Sequence, residues 1–454
     1  MNNPLSFSWR NDHRAWPGLI GLLLLLGACQ PALGPVPEGP WQGKLHLQPG
    51  VVLPFAFELR EGRLTLINGE ERLPGDSLRI VGDSVFVRLG VFDSEFRVRR
   101  LASGQWQGHW YDYNRKDNYR IPFEARVGEY IPPMAMVPEE AALAPRWAVD
   151  FSPATDHHYP AIGIFETGER GRLTGTFLTE TGDYRYLQGH YTVDSLWLTT
   201  FDGSHAFYFA ARRAGDSLQG VFLSGIHWEE PWLAVADPAA RLRGPDSLTF
   251  LKPGYERVAF TFPDAEGQAV SLSDPRFAGK VVIVQLLGTW CPNCMDETKL
   301  LAQWHRRYRD QGLEVVGLAF EAGGDADLAW TRIARVQEAL AVDYPILLAA
   351  TVTDKDTAAA RLPMLNQVMS YPTTIFIDRT GKVRRIHTGF SGPGTGAAYE
   401  RFVQKYEALI EAWLGEYMRC LEGCTVSPTL AGGYICDAVG GWNDGFHPQS
   451  MSPR

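Results

Sequence analysis

Val281-Val282-Ile283-Val284-Gln285-Leu286-Leu287-Gly288-Thr289-Trp290-Cys291-Pro292-Asn293-Cys294 decides the fold of this chain. Its first seven residues are apolar except for Gln285, the pattern of a strand buried on both faces. From Met295 to about Gln311 the apolar residues fall at helical spacing. A strand that stops at a C-x-x-C and continues as a helix sets the first thiol at the helix N-terminus and the second about one turn inside. Unpaired N–H groups and the helix dipole favour a thiolate at such a terminus. Cys291 is therefore the candidate nucleophile. Cys294 lies on the same helix face and is placed to resolve a mixed disulfide formed on Cys291. Pro292 suits the first helical turn, where its missing N–H would have had no partner. A C-x-x-C is also half of a zinc site, but neither a second C-x-x-C nor an H-x-x-x-H follows within the next hundred residues.

A chain of 454 residues has room for two or three domains. A net charge of −9 provides no basic footprint, which argues against nucleic acid as a partner. The N-terminus reads as an address, residues 1–28 forming a signal peptide. Arg10 and Arg14 precede the apolar run Leu19 to Leu26, which is short for a bilayer span. Leu26-Gly27-Ala28-Cys29 resembles the bacterial lipobox, which implies lipidation at Cys29 and a lipoprotein facing the periplasm. Whether the anchoring membrane is inner or outer stays open. Outside the cytoplasm a C-x-x-C is oxidised unless electrons reach it, so the protein is either supplied with electrons or acts as an oxidant.

Residues 29–40 read as a Pro- and Gly-rich tether. Beyond them, short alternating runs predict two β-rich units, 41–128 and 146–245, joined by a Pro-rich linker over 129–145. Gly62-Arg63-Leu64-Thr65 recurs as Gly171-Arg172-Leu173-Thr174, and Asp83-Ser84-Val85-Phe86-Val87 as Asp194-Ser195-Leu196-Trp197-Leu198. Gln107-Gly108-His109-Trp110 recurs loosely as Gln219-Gly220-Val221-Phe222. These colinear pairs predict an internal duplication. Two small barrels and one continuous sandwich both fit the pattern. The histidines of this half, His109, His157, His158, His190, His205 and His227, lack ligand spacing and read as structural. Trp106, Trp110, Tyr111 and Tyr113 read as exposed aromatics that either line a binding face or simply follow strand alternation.

Over 255–415 strands and helices alternate, which predicts an α/β fold with a parallel centre and an antiparallel edge. The hairpin Val258–Phe262 and Ala269–Leu272 leads, followed by helices over Pro292–Gln311, Asp325–Leu340 and Ala397–Leu414. This stretch resembles the TlpA/ResA-like thioredoxin-fold lipoproteins of bacteria. The resemblance rests on Gly288 to Cys294, on Ser370-Tyr371-Pro372-Thr373-Thr374-Ile375-Phe376-Ile377-Asp378, and on Lys382 to Phe390.

The resemblance implies a thioredoxin-like C-terminal domain and a thiol-disulfide oxidoreductase that uses Cys291 and Cys294, with no cofactor beyond that pair and no metal. It implies a cis Tyr371–Pro372 bond, where the residues alone favour trans, and a substrate-binding rim of Trp290, Tyr371, Pro372 and Thr373. Thioredoxins carry a buried aspartate where this chain has Gln285, so Gln285, Glu297 and Glu321 are the candidate proton relay. On spacing alone Glu297 reads as a helix-dipole partner and Glu321 as a solvated loop residue. Implied partners are protein disulfides, apocytochrome c among them, and a membrane electron donor. The leading expectation is reduction of protein disulfides. A disulfide-donating oxidant, a copper-handling protein using His387, and, third, a peroxidase are the alternatives. Residues 416–454 read as a disordered tail with an odd set of cysteines, Cys420, Cys424 and Cys436.

Overall fold

A computed structural model describes residues 34–130, 137–138, 142–422, 424–428 and 434–438. The expected signal peptide, Cys29, the first residues of the tether (29–33) and much of the 129–145 linker lie outside the described residues. No helix among the described residues is long and apolar enough to cross a membrane.

The first β-rich unit is a nine-stranded antiparallel meander running from Gly39–Gln48 to Arg120–Val127, with its first strand also paired to its last. Alternate residues of the opening strands point inward, and Trp41, Phe55, Phe57, Phe96 and Phe123 fill the interior. Trp106 and Trp110 belong to that interior and are fully buried, which corrects their reading as exposed aromatics. Pleating puts both on one face of the strand Trp106–Asp112 while Tyr111 points the other way. At Gly90, φ is +63° and a side chain would press on the Pro74 carbonyl; the sheet curls there until its two ends approach.

The second unit is closed. The strand Tyr159–Thr167 pairs with both Arg146–Phe151 and Arg172–Thr179, and Arg146–Phe151 pairs in turn with the last strand, Trp228–Ala236. Closure removes the exposed edges that an open sheet would present. Trp147, Phe151, Phe165, Phe177, Phe209 and Trp232 fill this barrel. The N-terminal half is thus two barrel-like sheets rather than one sandwich. They do not stand apart, since Phe201 of the second barrel packs on Phe55, Phe96 and Trp110 of the first.

The C-terminal part has a five-stranded sheet in the order Ile346–Ala350, Leu313–Phe320, Val281–Leu287, Thr373–Ile377, Val383–Thr388. The first three strands are parallel and the last two antiparallel to their neighbours. Every residue of Val281–Leu287 is buried, as a central strand covered by helices requires. Helices Pro292–Tyr308, Ala326–Ala339, Lys355–Arg361 and Ala397–Glu422 complete the thioredoxin-like layers. The leading hairpin is shorter than expected, Thr261–Pro263 with Ala269–Ser271.

Two expected boundaries shift. The C-terminal part takes up the chain before residue 255: Leu251 bridges to Leu365, and the Phe250 and Lys252 N–H groups bond across the same seam. The last helix continues to Glu422, and Cys424–Pro428 pairs with Tyr434–Ala438, so residues 416–454 are not uniformly without structure. Helical spacing of Leu409, Trp413, Tyr417 and Leu421 carries the helix past 415. The remainder of that tail lies outside the described residues.

Candidate active site

The buried strand Val281–Leu287 delivers the chain to a turn, Gly288-Thr289-Trp290, from which the helix Pro292–Tyr308 starts. Cys291 is the N-cap of that helix, with extended backbone, and its sulfur accepts from the Cys294 N–H at 3.2 Å. Both cysteines are free, and their sulfurs lie 2.6 Å apart. Cys291 retains 8% of its surface and Cys294 none, so only the first can meet an outside disulfide. Burial pushes the Cys294 thiol well up, reinforced by its hydrogen bond to Cys291.

The Tyr371–Pro372 bond is cis, and the Tyr371 carbonyl stands 3.6 Å from Cys291 Sγ. The Trp290 ring meets Tyr371 edge-on at 5.7 Å and is fixed by its indole N–H to the Phe320 carbonyl. Trp290 and Tyr371 line the cleft beside Cys291. Pro372 and Thr373 lie behind its rim, Thr373 turning its hydroxyl onto the Ser370 carbonyl.

Behind the cysteines is a buried polar chain. Gln285 donates to the Cys294 carbonyl at 3.3 Å and to Glu297 at 2.8 Å, and accepts from Thr298. Thr374 donates to the other oxygen of Glu297 at 2.7 Å. Burial lifts the Glu297 carboxyl to about 7, only partly offset by these donors. Glu297 therefore faces the sheet, not the helix terminus where the dipole reading put it. Glu321 is also corrected: it is completely buried, and both its oxygens are taken by the Thr289 N–H and hydroxyl. It anchors the turn that carries Trp290. The step from a strand end into the covered side of the sheet hides it, which sequence position alone reads as loop.

His387, the distant histidine of the copper alternative, is buried and bonded through Nδ1 to Asp246 and Tyr406. Among the described residues no cluster of three or more His, Cys, Asp or Glu is arranged to hold a metal ion.

Sequence reasoning missed the far wall of the cleft. It comes from the second barrel: Tyr159, Tyr184, His205 and Phe207 line it opposite Trp290, Cys291 and Tyr371. Asn293, between the cysteines, donates to the carbonyls of Asp183 and Phe390 at 3.3 Å each. The one sequence cue was the turn Glu180-Thr181-Gly182, where Gly182 adopts φ +148° and touches Asn293.

Residues 253–386 match the AhpC/TSA family. The chain is 30% identical over 143 residues to the thiol-disulfide oxidoreductase ResA of Geobacillus thermodenitrificans, covering 31% of this chain and 72% of that protein. It is 25% identical over 160 residues to ResA of Halalkalibacterium halodurans, covering 35% and 78%. A putative thiol:disulfide interchange protein DsbE from Chlorobium tepidum is similar at 24% identity over 36% of this chain and 99% of that one, with a TM-score of 0.27.

Proposed function

The chain belongs to the ResA-type thiol-disulfide oxidoreductases of the thioredoxin fold, and from that premise we propose that it reduces protein disulfides through Cys291 and Cys294 in the bacterial cell envelope, facing the periplasm. The observation that carries this reading is the meeting of the Cys291 sulfur, at the helix N-cap, with the Tyr371 carbonyl at 3.6 Å. A substrate disulfide held along that carbonyl presents a sulfur to Cys291.

The Cys291 thiolate attacks one substrate sulfur, forming a mixed disulfide and releasing the other sulfur as a thiolate that takes a proton. Cys294 then attacks the Cys291 sulfur, freeing the second substrate thiol and leaving the Cys291–Cys294 disulfide. Two electrons have passed to the substrate. A membrane dithiol donor returns them. Cys294 is deeply buried, so its proton needs an acceptor, and we assign that role to the buried Glu297 carboxylate, held by a hydrogen bond from Gln285.

The lipobox-like Leu26 to Cys29 supports an anchor at Cys29 and an extracytoplasmic site. The disulfides of oxidised apocytochrome c and of mispaired envelope proteins are the substrate classes in view. The two barrels read as a duplication: the recurring stretches fall on the third strand of each meander, Arg63–Asn68 and Arg172–Thr179, and again on Ser84–Arg88 and Ser195–Phe201.

The deciding experiment is the Cys291–Cys294 reduction potential, by equilibration against glutathione and dithiothreitol buffers. A value well below about −200 mV supports an electron-supplied reductase, whereas one near about −120 mV marks an oxidant that donates disulfides.

A further inference from the structure

We propose that the second barrel is a working wall of the active site, one that admits a disulfide carried on an extended, uncharged and apolar chain segment and excludes a disulfide held in a folded surface. This deepens the oxidoreductase reading above and rests on it.

The cleft beside Cys291, open to solvent at its mouth, has a volume of about 470 Å³ and is lined by the thioredoxin-like rim, Trp290, Met369 and Tyr371, and by Tyr159, Tyr184 and Phe207 of the second barrel. Pockets of that size hold a small ligand or a few residues of chain, not a protein face. Its charged lining residues are already engaged. Glu180 is paired with Arg243, Asp183 accepts from the N–H groups of Gly392 and Arg185, and His205 bonds to Asp202. What faces an incoming segment is aromatic and neutral.

The wall is fixed on several sides of the reactive thiol. Ser370, next to Tyr371, donates to the Thr181 carbonyl at 2.7 Å, and Ser204 donates to the Trp290 carbonyl at 3.1 Å. A side chain on Gly389 would stand 2.7 Å from the Thr181 carbonyl carbon, so the two backbones are in close contact. Beneath these contacts Arg185 of the barrel is buried among carboxylates from all three parts of the chain. It bonds Asp296 in the first turns of the catalytic helix, Glu71 of the first barrel at 2.7 Å, and lies 3.6 Å from Asp202. A buried ion cluster of this kind loses its balance when one member leaves, so it holds its parts in one arrangement. Arg185 is a positioning residue: it touches no reacting atom and acts by holding the wall.

The test uses the full chain in reduced form and follows its oxidation by three disulfides: 2-hydroxyethyl disulfide, an unstructured peptide disulfide with phenylalanine beside each cysteine, and a folded protein with one surface disulfide. The wild-type protein is expected to prefer the peptide over the folded disulfide by about 100-fold, and Arg185→Gln to narrow that ratio at least about tenfold while 2-hydroxyethyl disulfide is reduced at the wild-type rate. Ser204→Ala removes one neutral hydrogen bond, keeps the fold, and is expected to narrow the ratio in the same direction by less. A wild-type ratio within about threefold overturns the proposal, as does an Arg185→Gln rate that falls equally for all three disulfides in a protein that melts as the wild type does. Failure to reduce even 2-hydroxyethyl disulfide overturns the oxidoreductase reading itself, and this inference with it.

Discussion

Gln285 Nε2 and Glu297 Oε2 are hydrogen-bonded at 2.8 Å directly behind Cys294, sealed from solvent on every side. The pair is expected to make resolution of a mixed disulfide by Cys294 pH-dependent. A carboxyl lifted from 4.5 to about 7 holds its proton when folded at pH values where the unfolded chain has released it. Stability therefore falls as pH rises from about 4.5 to about 7, by on the order of 3 kcal/mol. Glu297→Gln is expected to flatten that slope in denaturant titrations across this range. It is also expected to slow release of the mixed disulfide by about 100-fold at pH 7 and to remove the rate increase centred near the Glu297 pKa.

Cys294→Ser is expected to leave the first attack intact and to accumulate the Cys291–substrate mixed disulfide, read by mass spectrometry under non-reducing conditions. Cys291→Ser is expected to abolish both reaction and adduct, because the remaining thiol is inaccessible.

Glu321 holds the turn before Cys291 through the Thr289 N–H and hydroxyl. Glu321→Ala leaves two buried donors without an acceptor, at a cost of about 1–3 kcal/mol for each. A lowered denaturation midpoint and a slower attack by Cys291 are expected together. Thr289→Val, which leaves the N–H partnered, is expected to cost less.

The Tyr371 hydroxyl is buried and has no hydrogen-bond partner among the described residues. Tyr371→Phe is accordingly expected to change stability by less than about 0.5 kcal/mol. A larger change in KM than in kcat for a peptide disulfide would identify the hydroxyl as a substrate contact.

The candidate active site was legible because its information is local. A seven-residue run apolar but for Gln285, a C-x-x-C and a helical period lie within about thirty consecutive residues, and each constrains the next. The wall was not legible, because Thr181, Arg185 and Ser204 come beside the Cys291 loop and its helix only through barrel closure, which depends on pairings such as Arg146–Phe151 with Trp228–Ala236. Trp106 and Trp110 were misread for a related reason: alternation fixes which residues share a face, but not which face is inside. Glu321 shows the same limit at one residue, since a carboxylate after a strand looks solvated until the Thr289 turn is folded over it.

Asp246 sits in what reads as connecting chain after the second barrel, yet it accepts from Arg385, His387, Lys405 and Tyr406 of the C-terminal part. The segment that precedes the thioredoxin-like fold is thereby the counter-ion of its outermost strand. A gene fragment cut at residue 255 would keep a buried imidazole and three cationic or phenolic neighbours while discarding the carboxylate they share. The smallest piece of this protein that can be transplanted into another chain therefore begins ahead of Pro245.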